Sequence, residues 1–314
     1  MDTRFTRRKL LTSTVTVAGV GLAGCTAGGD GTPSGERTGT PTGAASKTPT
    51  PGRQSAPVDY REWLPRPGGS GAGYYFNGYD YARLRANEDR LDRSVYEGYV
   101  ERDLFDTLGL DVADLTYGIR VFTFPPTPSL LLGQFSQSAI VDRLQSLDYA
   151  VAEERETYNI YQAPDEGRFV GAKDGVVAIS DSESESVVRH LTTPDAEEGG
   201  YVAASDDLAW VLDAVGYGTF LFGGTNEPVD ESDADPTGGY FAGQVAHAYA
   251  DRVTGATTQS TFAYRFEDAD AAAEADLGTY LNGEALQEYD DFTVNTEGRD
   301  VVAESQADTD ALYT

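Results

Sequence analysis

Three side chains in the 314 residues carry the soft or imidazole donors that nucleophilic and metal chemistry favour: Cys25, His190 and His247. A lone thiol can attack an electrophile, ligate a metal or carry a thioether. Zinc sites gather several Cys or His donors at close spacing, and neither histidine has such a companion. His190 falls near the end of ESVVRHL, where a cation meets a helix C-terminus favourably. His247, in QVAHAYA, shares strand parity with Val245 and Tyr249. Both imidazoles are therefore expected to serve structure. Hydrolase and nucleotide signatures are missing too: there is no GxSxG, no P-loop, and no glycine fingerprint set inside a βαβ unit. Asp and Glu are so abundant that no pair stands out for acid–base work. The sequence thus nominates no catalytic residue, no metal and no cofactor.

Two local clusters remain. In DESDADPTGG, Asp230, Asp233 and Asp235 offer hard oxygens of the kind calcium takes, but their spacing misses the EF-hand pattern. A solvated acidic loop is the expectation. In GYYFNGYDY, Tyr74, Tyr75, Tyr79 and Tyr81 could stack on sugars or form an interface, yet alternating aromatics are the pattern of a half-buried strand.

Cys25 is better placed than either cluster. It ends TRRKLLTSTVTVAGVGLAGC, in which Arg7 and Arg8 precede an uncharged segment of 15 residues, Leu10 to Gly24. That is short for a spanning helix, which needs roughly 20 apolar residues. A charged start, a modest apolar middle and small residues before a cleavage point mark a removable targeting peptide. The ending, Leu22-Ala23-Gly24-Cys25, resembles the lipobox of bacterial and haloarchaeal lipoproteins exported through the twin-arginine route. The resemblance implies cleavage before Cys25 and a lipid on its sulfur. The chain would then sit on the extracellular face of the cell membrane, with membrane lipid as its one assigned partner. With a single cysteine no intramolecular disulfide is available, and stability must come from a packed core.

Charge points the same way. The chain holds 52 acidic and 23 basic residues, for a net charge of -29, and its only lysines are Lys9, Lys47 and Lys173. This bias is similar to that of salt-in haloarchaeal proteins, in which molar salt screens the self-repulsion. No basic stripe survives outside the leader, which argues against nucleic acid as a partner. Residues 26–57 are Gly, Thr, Pro, Ser and Ala with too few apolar groups for a core. As a flexible tether they would hold the body on the order of 30 Å from the lipid.

The sequence therefore divides into an export signal (1–24), a lipidated Cys and tether (25–57), and a folded body in two parts, 58–195 and 196–314. Helical spacing is predicted around Tyr81, Leu84 and Leu91, and again around Tyr99, Leu104, Phe105 and Leu108. SDDLAWVLDAV has a Ser/Asp cap and sets Leu208, Val211, Leu212 and Val215 on one side. LLLGQF-SQSAIVDRL and FAYRF-EDADAAAEADL are the same strand–helix step, each followed by two strands around a Gly turn, KDG or TEG. The expected class is α+β: two similar halves of antiparallel sheet packed against helices, as a divergent duplication would leave. Over this body the chain resembles only uncharacterised haloarchaeal lipoproteins, which implies no activity. A non-enzymatic interaction or envelope module is the leading expectation. A solute-binding lipoprotein and a secreted hydrolase are the alternatives.

Overall fold

The computed structural model describes residues 60–65, 73–100, 103–122, 128–164, 167–180, 188 and 201–313. Twelve strands run through it: β1 Tyr74–Asp80, β2 Leu115–Val121, β3 Ser129–Gly133, β4 Ala150–Glu154, β5 Asn159–Gln162, β6 Phe169–Lys173, β7 Val176–Ser180, β8 Phe220–Thr225, β9 Gln244–Thr254, β10 Thr257–Phe266, β11 Thr293–Glu297 and β12 Asp300–Asp308. All pair antiparallel in one sheet, in the order β11-β12-β10-β9-β8-β1-β2-β3-β7-β6-β5-β4. The class is α+β.

That order has a centre. β1 and β8 pair along six positions, Tyr74 with Thr225 through Tyr79 with Phe220. On one side follow β2 and β3; on the other follow β9 and β10. From β3 the chain enters α4 (Gln137–Ser146) and returns with β7 beside β3 and β6 outside β7. From β10 it enters α7 (Ala269–Glu274) and α8 (Leu277–Leu281), then returns with β12 beside β10 and β11 outside β12. The two turns between returning strands are KDG and TEG, with Gly175 and Gly298 at φ 72° and 61°, the left-handed region glycine occupies without penalty. The two halves thus share one topology and are joined edge to edge through β1 and β8.

The sheet is covered on both faces. On the first, Phe76, Tyr117, Ile119, Leu130 and Leu221 share one core with Tyr201 and Val202 of α5 (Tyr201–Ala204) and with α6 (Asp206–Val215), which lies over β8, β9 and β10. The predicted residues of that helix, Leu208, Val211, Leu212 and Val215, are all buried, and Ser205 caps it by accepting from Leu208 N–H at 3.2 Å. On the second face, Phe262, Tyr264 and Phe266 pack with Ala272, Leu277 and Leu281 of α7 and α8. Beside them, α1 (Tyr81–Ala86) lays Tyr81 over Gly118, where an added Cβ would come within 2.8 Å of the ring.

Some elements are shorter than the periodicity predicts. The run around Tyr99 to Leu108 is helical over its described residues, as α2 (Arg93–Val100) and α3 (Asp103–Leu108). The run from Ala269 to Leu281 is divided because Asp276 caps a new helix, accepting from Thr279 N–H at 3.1 Å. Residues 238–243 turn instead of extending, with Gly239 and Gly243 at positive φ. The signal residues Arg7, Arg8, Leu22, Ala23, Gly24 and Cys25 lie outside the described residues, as does His190.

Candidate interaction surfaces

The tyrosine cluster spans β1, with Tyr74, Tyr75 and Tyr79, and the first residue of α1, Tyr81. Tyr74, Tyr79 and Tyr81 are buried, whereas Tyr75 faces the second side and is half-buried. Tyr75 lies across Gly224 of the neighbouring strand, where a Cβ would approach its ring to 2.3 Å. On the far side of Gly224 stands His247.

His247 is the hub of an aromatic patch. Its ring is 5.2 Å from Phe222, 5.6 Å from Tyr240 and 5.9 Å from Tyr75, measured between centroids. Burial among these rings lowers the imidazole pKa to about 4. The Gln244 side-chain oxygen accepts from Phe241 N–H at 3.2 Å, which turns its amide nitrogen toward His247 Nδ1 at 2.8 Å. Nδ1 therefore accepts, and the neutral ring carries its proton on Nε2. At neutral pH this histidine neither supplies a proton to a substrate nor adds charge. Tyr75, hydrogen-bonded to Tyr240, is held above the usual phenol range by burial first and by Tyr240 second. The patch can offer ring contacts and little acid–base chemistry.

The acidic loop does not gather its carboxylates. Asp233 N–H and Ala234 N–H both donate to the Asp230 carbonyl, and the Asp235 carboxylate accepts from Thr237 Oγ1 at 2.6 Å. Among the described residues no three His, Cys, Asp or Glu side chains are placed to hold a metal. An open hollow of about 630 Å³ beside α1 and α2 is lined by Arg85, Glu88, Asp89, Arg93 and Glu97. Its charges are spent on neighbours: Arg93 pairs with Glu97, and Arg85 donates to the Val112 and Leu115 carbonyls.

One buried carboxylate escaped sequence reasoning. Asp251 of β9 is fully buried and receives hydroxyl donors from Ser260, from Tyr249 at 3.3 Å, and from Tyr313 of α9 (Thr309–Tyr313). This network ties the C-terminal helix to the sheet. An Asp at an inward strand position was the available signal, but acids are too common here for one to be noticed.

The ends of the sheet are its least covered parts. β11 is exposed at every one of its five residues, and β4 at four of five. Among the described residues the exposed large hydrophobics are Val151 of β4 at 54%, Val294 of β11 at 45% and Tyr240 at 36%. Two of the three lie on the edge strands. Each outer strand presents a row of backbone N–H and C=O groups to solvent, which is the template for adding another strand.

No family model matches the chain, and no curated protein matches it. Solved structures that it is similar to include two crystal forms of TP0453. Form III has 10% identity and a TM-score of 0.48, covering 82% of this chain and 98% of that one. Form IV has 11% identity and a TM-score of 0.44, covering 78% and 92%. A likeness of this strength assigns neither family nor function. No helix among the described residues is long and apolar enough to cross a membrane.

Proposed function

We propose that this chain is a lipid-anchored, non-enzymatic interaction module on the outer face of the cytoplasmic membrane of a halophilic archaeon, held by Cys25 and engaging its partner by strand addition. The observation that carries this reading is the exposure of both outer strands, each bearing an uncovered valine on an otherwise acid-rich surface. Strand addition draws affinity from main-chain hydrogen bonds and needs no catalytic constellation. The sheet favours this over a solute receptor, because such receptors alternate β and α into two lobes around a cleft. Here strands follow strands in a single antiparallel sheet.

The test is photo-crosslinking in the native host, with a photoreactive residue at Val294, at Val151, or at the exposed control Ala273 of α7. An edge position should yield a discrete adduct that the helix position does not, and Cys25→Ser should weaken it by releasing the chain from the membrane. Equal, diffuse labelling at all three positions would contradict the reading.

A further inference from the structure

We infer that β11 pairs with β11 of a second copy of this chain, closing two sheets into one across a two-fold axis. This deepens the interaction reading above and rests on it. The first support is topological. β6 and β11 occupy equivalent places, each outside the strand that returns beside its own half's central meander. β6 is capped by β5, pairing Asn159 with Ala172 through Gln162 with Phe169, and is buried at four of its five residues. Among the described residues no strand caps β11, which is exposed at all five. The place that a strand fills in one half stands open in the other.

The second support is the contrast between the two outer strands. β4 is protected against pairing: its register with β5 shifts between Val151 and Glu153, and it ends in Glu153 and Glu154. Bulges and charges are the usual means of keeping an edge unpaired. β11 has neither over Thr293-Val294-Asn295-Thr296, and its register with β12 is regular from Thr293–Glu304 to Glu297–Asp300. Four uncharged positions on an exposed edge, three of them β-branched, stand out in a chain of net charge -29.

The third support is self-complementarity. An antiparallel pairing of β11 with itself centred on Asn295 sets Asn295 opposite Asn295, Val294 opposite Thr296, and Thr293 opposite Glu297. No acid faces an acid, and the exposed valine gains a β-branched neighbour. The same operation on β4, centred on Ala152, sets Val151 opposite Glu153 and Ala150 opposite Glu154. Val294 also lies in register with Ala303 and, beyond it, Phe262, so the partner strand extends an existing row of side chains. The interface is isologous and closes as a dimer rather than a filament. A strand pair of this length is weak alone, and confinement of both copies to one membrane raises their effective concentration.

Disulfide trapping of the full chain tests this, in native membranes at roughly 3 M KCl. Directly opposed residues of an antiparallel pair bring their Cα atoms about 4.5–5.5 Å apart, within disulfide reach. Asn295→Cys should give a disulfide-linked species of twice the chain mass, and Ala152→Cys, at the matching centre of β4, at least tenfold less. Adding Val294→Lys to Asn295→Cys should reduce trapping at least tenfold. The unsubstituted chain, whose one cysteine is Cys25, sets the background. Overturning results are dimer no greater than background, equal trapping at Asn295 and Ala152, or no response to Val294→Lys. Trapping of Asn295→Cys to a different protein would overturn the second-copy assignment and leave strand addition standing.

Discussion

The two halves of the sheet share a topology but finish differently. After its helix the first half adds a hairpin, β4–β5, outside the returning pair β6–β7; the second half stops at the returning pair β11–β12. The added hairpin moves the first half's edge outward and gives it a bulged, acidic last strand. The second half is closed instead by its helices, with α7 and α8 packing an aromatic core and α9 fastened by Tyr313. A repeated topology therefore need not present repeated surfaces. One half has a finished edge, and the other has an open one above a core that is locked from behind.

If the second half depends on that lock, breaking it should have the largest effect. Asp251→Ala removes the acceptor that the buried Ser260 and Tyr313 hydroxyls share, leaving Ser260 the longer contact to Tyr289 at 3.4 Å. Stranded buried donors cost about 1–3 kcal/mol each, and loss of the network should lower stability by about 3 kcal/mol. Tyr313→Phe removes a single donor and should cost about 1 kcal/mol. Thermal melts of both variants in high salt check the ratio. Equal, small losses would show that α9 is held by other contacts.

A second effect separates the halves by pH, since His247 lies on the second. Its folded pKa of about 4 is below the ordinary 6.5, so between those values the unfolded chain binds the extra proton. The contribution of the neutral ring is complete above pH 6.5, falls as pH drops, and is gone below about 4. The full span is at most about 3 kcal/mol, lessened by the ring's partial exposure. His247→Gln should flatten the fall in melting temperature over this range. An unchanged profile would place the pH dependence on the carboxylates instead.

Much of this could be read in the residues themselves, where local pattern decides. Ser205 before the run Leu208, Val211, Leu212, Val215 marks α6 correctly, and TTQSTFAYRF is β10 from end to end. The KDG and TEG turns sit between paired strands because their glycines supply positive φ. The tyrosines of GYYFNGYD do form a strand, but Tyr74 and Tyr79 are buried on its opposite faces and Tyr81 opens α1, so one buried side is not the whole pattern. What stayed hidden depends on distant pairing. Nothing local in β1 and β8 says that they join the halves into one sheet, because the paired residues, Tyr74 with Thr225 through Tyr79 with Phe220, are far apart in the chain. β6 and β11 follow equivalent steps, yet one is buried and the other open, since β5 covers only the first. The surroundings of His247 are likewise assembled from three strands and a turn, and Asp251 is masked by the abundance of acids around it.

The most direct test of the central claim, an anchored module whose open strand is closed by a partner, is hydrogen exchange at the two edges. The chain held in native membranes is compared with Cys25→Ser in dilute solution at the same high salt. Exchange within Thr293–Glu297 should be at least tenfold slower in the membrane-held chain, while Ala150–Glu154 exchanges alike in both. Identical exchange of Thr293–Glu297 in the two states, or equal slowing at both edges, would contradict the account.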